Sequence, residues 1–115
     1  MATLPSALEA RLTNLANALI DQKRARTIVP AQQPSTGFWF GGGNTIEDTN
    51  GDLHVVGRYR NHGDSRTGVA AGQRGLELAI FTSTDGGENW EKSVSFSKSD
   101  LNFGDRTVLS IEGSA

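Results

Sequence analysis

Ser83-Thr84-Asp85-Gly86-Gly87-Glu88-Asn89-Trp90 has the chemistry of a self-closing hairpin turn. The Asp85 carboxylate can accept backbone N–H bonds within its own turn, Gly86 and Gly87 tolerate positive φ, and Trp90 can fold back over the turn from the next strand. Short runs with a period of two flank it, Leu76–Thr82 before and Trp90–Phe96 after, as half-buried strands require. Residues 76–96 are therefore expected to form an antiparallel hairpin.

Working outward, the polar stretch Asn61–Arg74 is a long loop, and Leu53–Arg60 before it is another strand. This strand alternates Leu53, Val55, Gly57 and Tyr59 with His54, Val56, Arg58 and Arg60, so its basic side chains share one face. Asp48-Thr49-Asn50-Gly51-Asp52 is a turn signal, since Asn-Gly readily supplies positive φ. The first strand, Phe38–Glu47, is loosened by Gly41, Gly42 and Gly43, where another backbone or a ligand can come close. Four antiparallel strands then make one meander. Beyond Ser97–Arg106, residues Thr107–Gly113 are expected to open a further strand, with the chain ending in mid-architecture at Ala115.

At the other end the period is helical. Leu8, Leu12, Leu15 and Leu19 recur at intervals of four, three and four, which predicts one amphipathic helix over Leu4–Arg26. Ser6 and Glu9 fit a capping box, Pro5 suits a helix start, and Lys23, Arg24 and Arg26 suit the negative end of the helix dipole. Pro30, Pro34 and Gly37 punctuate a connector between the helix and the β region. The expected organisation is helix 1–26, linker 27–37, β meander 38–96 and a last segment 97–115.

Composition bounds the function. The 115 residues amount to one domain at most. Eleven Lys and Arg against thirteen Asp and Glu give a net charge of −2, which removes the electrostatic attraction that nucleic-acid and membrane binders normally show. No apolar run approaches the roughly 18 residues of a membrane-spanning helix, and the first residues do not resemble a signal peptide. With no cysteine there is neither a disulfide nor a thiol nucleophile. His54 and His62 lack the partner spacing of a zinc site. The glycines at 41–43 precede neither the Lys-Ser/Thr nor the helix of a phosphate loop. No metal or cofactor is expected.

The octapeptide resembles the Asp-box, Ser-x-Asp-x-Gly-x-x-Trp, of sialidase-like β-propellers, with Ser83, Asp85, Gly87 and Trp90 at its four defining positions. The likeness extends over residues 38–96: Gly43-Asn44-Thr45-Ile46, Asn50-Gly51, Leu53–Arg58, Asp64 and Leu76–Ser83 follow the order of the family's first blade. It implies a mainly β fold in which an N-terminal amphipathic helix precedes one four-stranded antiparallel propeller blade and the first strand of a second. It implies a glycoside hydrolase, completed by the remaining blades or by self-association, with a glycan as substrate. Gly42-Gly43-Asn44 stands where sialidases carry Arg-Ile-Pro, which points away from true sialidase activity. The alternative is a non-catalytic propeller that binds carbohydrate or protein.

The same resemblance makes Asp64 the general acid/base, since it matches the family's loop position, and makes the Asp-box residues structural. Around Asp64, the segment Gly57–Gly68 concentrates Arg58, Arg60 and Arg66, whose guanidinium forks can hold a sugar hydroxyl or a carboxylate. Asn44, next to the three glycines, can read sugar hydroxyls. Glu112, on the strand expected to open the next blade, can point to the same axis. Glu77 is expected in a salt bridge at the rim.

Overall fold

A computed structural model describes residues 3–61 and 75–112. It is mainly β: one α-helix and a five-stranded antiparallel open sheet. The helix, α1, is Ser6–Leu19. The strands are β1 (Trp39–Gly41), β2 (Thr45–Glu47), β3 (Leu53–Arg60), β4 (Glu77–Ser83) and β5 (Glu91–Ser97). β1 and β2 lie end to end along β3, followed across the sheet by β4 and β5.

The expected first strand is thus broken in two, and the register explains how. Gly41 faces Arg58 while Thr45 faces Val55, so Gly42, Gly43 and Asn44 stand opposite only Val56 and Gly57. This is a one-residue bulge, made possible by a φ of +80° at Gly42. Pairing resumes at once, because Val56 N–H donates to the Asn44 carbonyl at 3.0 Å. The turn into β3 also differs from a two-residue hairpin. Only Gly51 takes a positive φ there, and the Asp48 carboxylate closes the loop by accepting the N–H groups of Asn50 at 2.8 Å and Asp52 at 3.1 Å.

The core forms on the face of β3 that carries Tyr59. Phe40, Tyr59 and Phe81 meet edge to face, with centroids 5.1 to 6.5 Å apart, above the fully buried Ala79. Gly57 leaves the space that the Phe40 ring fills. The connector 27–37 lies over this face and buries Val29 in the aromatic cluster. Arg26, just before it, donates to the Gly87 carbonyl and pairs with Glu88. The linker is therefore a packed part of the sheet's cover.

α1 stops well short of Arg26. Asp21 ends the helical run: its carboxylate accepts Lys23 N–H at 3.1 Å, and its carbonyl accepts Arg24 and Ala25 N–H at 3.0 and 3.1 Å. Lys23, Arg24 and Arg26 consequently lie outside the helix. The capping box does not form either, because Ser6 is already helical and Pro5 occupies the cap position, offering only its carbonyl to Leu8 and Glu9. No residue of α1 is buried.

Past β5 a 3-10 turn at Ser99–Leu101 leads the chain back across the end of the sheet. Residues 107–112 form no strand, in contrast to the expectation. They dock through Ile111, which is buried and donates its N–H to the Gly75 carbonyl at 3.0 Å. A Cβ at Gly75 would collide with the backbone of Ile111, so a single close crossing replaces a ladder.

Gly57→Ala is expected to destabilise the fold by about 1–3 kcal/mol, because the new methyl group would lie 2.7 Å from the Phe40 ring. Combined with Phe40→Ala the further loss should be much smaller, since the two changes share one space. Urea denaturation of the two single variants and the double variant checks this; additive losses would contradict it.

Candidate functional site

The turn Ser83–Trp90 is closed by bonds among Ser83, Asp85, Gly87, Asn89 and Trp90. Ser83 is 1% exposed; its hydroxyl donates to Asp85 Oδ1 at 2.8 Å and accepts Gly87 N–H at 2.9 Å. Asp85 also accepts Asn89 N–H at 2.9 Å and the Asn89 side-chain amide at 2.7 Å. Trp90 Nε1–H donates to the Gly87 carbonyl at 3.0 Å, and Gly86 and Gly87 both take positive φ. The Asn89 bonds, joined by that from Ser83, hold the Asp85 carboxyl down at about 2. The donors to the Asp85 carboxylate, Ser83 and Asn89, both belong to the turn.

Of the candidate binding residues, Arg58 and Arg60 lie on the face of β3 turned away from the aromatic core. Arg58 is 3% exposed, and its Nη2 lies 3.4 Å from Glu112 Oε2, whose side chain is 54% exposed. The segment docked at Gly75 thus delivers Glu112 to β3 although it is not a strand. Gly42 sits beside Arg58, and it is its positive φ of +80°, not a lack of space, that favours glycine there. Two residues further along β3, the Arg60 guanidinium stacks over the Trp39 ring at 4.8 Å from its centroid. Asn44 is exposed opposite Val56 and lines a groove of about 280 Å³ with Gly41–Gly43, Ile28 and Val55. Arg58 and Glu112 are thus in contact, Arg60 follows on the same face of β3, and Asn44 lies at the bulge on a groove that Val29 and Phe40 of the aromatic core also line. Asp64 and Arg66 lie outside the described residues.

Chemically, the group offers one buried guanidinium engaged with a half-exposed carboxylate, a second guanidinium on an aromatic ring, and a side-chain amide at an open groove. These are hydrogen-bonding groups suited to a polyhydroxylated or anionic ligand. Among the described residues there is no group of three or more His, Asp or Glu side chains that could hold a metal ion. No helix there is long and apolar enough to cross a membrane.

Two further polar clusters are present, of which only the Glu77 salt bridge is expected from the sequence. His54 Nδ1 lies 2.9 Å from Thr82 Oγ1 and His54 Nε2 3.2 Å from Asp48 Oδ2, while Thr82 Oγ1 continues to Ser93 Oγ at 2.9 Å. This chain ties the Asp48 turn across β3 and β4 to β5, and the bond from His54 holds the Asp48 carboxyl below its ordinary value. On the aromatic face, Glu77 bonds Lys92 at 2.7 Å, Ser95 at 2.8 Å and Gln32 at 3.2 Å. Burial disfavours the Glu77 charge, yet these partners keep its carboxyl below the usual range. Lys92 also covers the Tyr59 ring at 4.7 Å. Strand register is the signal that joins these residues; it follows from the turns and the bulge together.

Compared with protein-family models, with curated proteins and with solved structures, the chain matches none.

Ser83→Ala is expected to cost about 1–3 kcal/mol, since it strands the buried Gly87 N–H; an unchanged urea midpoint would contradict the turn's bonding. A second expectation concerns acid. Asp85 has a folded pKa of about 2, below the unfolded value of about 3.9. Its stabilisation is therefore complete above about pH 4 and lost as pH falls toward about 2. Asp48, likewise lowered, acts in the same direction. Urea midpoints measured from pH 5 to pH 2 should fall less steeply for Asp85→Asn than for the wild type.

Proposed function

We propose that the sheet is one blade of an Asp-box β-propeller of the sialidase-like kind, and that the assembled propeller is a glycoside hydrolase acting on a substrate other than a sialoside. The observation that supports this reading is the Ser83–Trp90 turn, in which Ser83, Asp85, Gly87 and Trp90 all take part in the bonds that close the β4–β5 hairpin. A propeller has about 4 to 8 blades, so the activity belongs to this chain together with further blades, in the same polypeptide or in other copies.

In this reading Asp64 protonates the glycosidic oxygen as the bond to the leaving sugar breaks, then serves as base toward the incoming group. Asn44, Arg58, Arg60 and Arg66 bind and orient the sugar, and Glu112 holds Arg58 in place or meets a hydroxyl itself. The second reading is a propeller that binds carbohydrate or protein without hydrolysis. It draws support from Gly42-Gly43-Asn44 in place of Arg-Ile-Pro and from Arg58 being engaged by Glu112.

In the complete propeller, Asp64→Asn is expected to lower turnover of a natural glycan, whose leaving sugar must be protonated, by at least about 100-fold, with glycan binding kept within a few fold. Turnover close to that of the unaltered protein removes Asp64 from the mechanism. Glycan binding without any turnover in the unaltered protein establishes the second reading instead.

A further inference from the structure

α1 carries a leucine stripe that nothing in the described structure covers. Leu8, Leu12, Leu15 and Leu19 are 39%, 46%, 57% and 77% exposed. A solitary helix of 14 residues is marginal in water, because nucleation fixes several residues before the first hydrogen bond forms. Its ends add little: Pro5 provides no side-chain cap, and the last turn holds no basic residue. A helix of this length therefore needs a partner for its apolar side.

The width of the stripe identifies the partner's shape. At 3.6 residues per turn the four leucines fall within a band about 60° wide. A helix packed on a globular core shows a stripe of at least about 100°, whereas the narrower stripe is a coiled-coil seam. The spacing of four, three and four is the d-a-d-a order of such a seam. Ala16 and Ala18 flank it and allow close approach, and the only charges within α1, Glu9 and Arg11, cancel, so pairing meets no net repulsion. The seam calls for another helix, and the described chain contains a single α-helix.

We propose that α1 is a self-association element that pairs with α1 of a second copy of this chain through Leu8, Leu12, Leu15 and Leu19. The exposed leucine surface amounts to roughly 400 Å² per copy, so a pair buries at most about 800 Å², the size of a weak, transient contact. The contact is independent of the carbohydrate reading.

The test is sedimentation equilibrium of the full chain between about 1 and 200 μM. The wild type should be in a reversible association within that range. The exposed-site double variant Leu12→Lys/Leu15→Lys should weaken association by at least about 100-fold, and Leu12→Ala/Leu15→Ala, which keeps helix propensity, should weaken it less. Amide exchange of β3 and β4 should be the same in all three. Because the chain has no cysteine, Leu12→Cys and Leu15→Cys proteins mixed under mild oxidation report the geometry. Disulfides between copies, of like or unlike positions, support the pairing. A wild type that stays monomeric at 200 μM overturns it. So does association that both double variants leave unchanged, which would place the contact on the sheet.

Discussion

The Ser83 hydroxyl is the constraint on which the sheet depends. It is buried at the last residue of β4, opposite Leu53 of β3, and both its donor and its acceptor capacity are spent within the turn. Accepting from Gly87 and donating to Asp85, it fixes where the chain reverses and hence the register of β5 on β4 as far as Phe81, beyond which a bulge shifts it by one residue. The consequences reach further than one hairpin. The Gly87 carbonyl, set by this turn, receives both Trp90 and Arg26, and Arg26 starts the connector that carries Val29 onto the aromatic core.

That arrangement gives the two faces of β3 different work. One face supplies Tyr59 to a closed cluster with Phe40 and Phe81, sealed by the connector and by Lys92. The other presents Arg58 and Arg60, with the bulge at Gly42–Asn44 on one side and Glu112 arriving from beyond Gly75 on the other. Rigid packing beneath, and polar groups above at an irregular edge, is the arrangement that binding sites commonly use.

Much of this was legible in the sequence, since its causes are local. The leucine spacing marks α1, the alternation in Leu53–Arg60 separates Tyr59 from the arginines, and the 83–90 octapeptide carries its own bonding partners. What was not legible depends on register and on close approach. From the turn at 48–52 alone, Trp39 would face Asn61; the one-residue bulge brings it to Arg60. Three glycines signal a loosened strand but not the shift by one. The end of α1 is set by Asp21, whose chemistry suits a turn as well as a last helical residue. The path of residues 107–112 is decided by the bare Cα of Gly75, far away in sequence, and periodicity carries no trace of such a crossing.

The central claim, that the Ser83 turn belongs to the cooperative core and is not a loop at its edge, is tested most directly by native-state amide hydrogen exchange. The Gly87 and Asn89 amides, bonded to Ser83 and Asp85, should exchange only through the same global opening that exposes the amides of Ala79 and Phe81 in β4. Rapid exchange at Gly87 and Asn89 while β4 stays protected would show a turn that opens on its own, and would contradict the account.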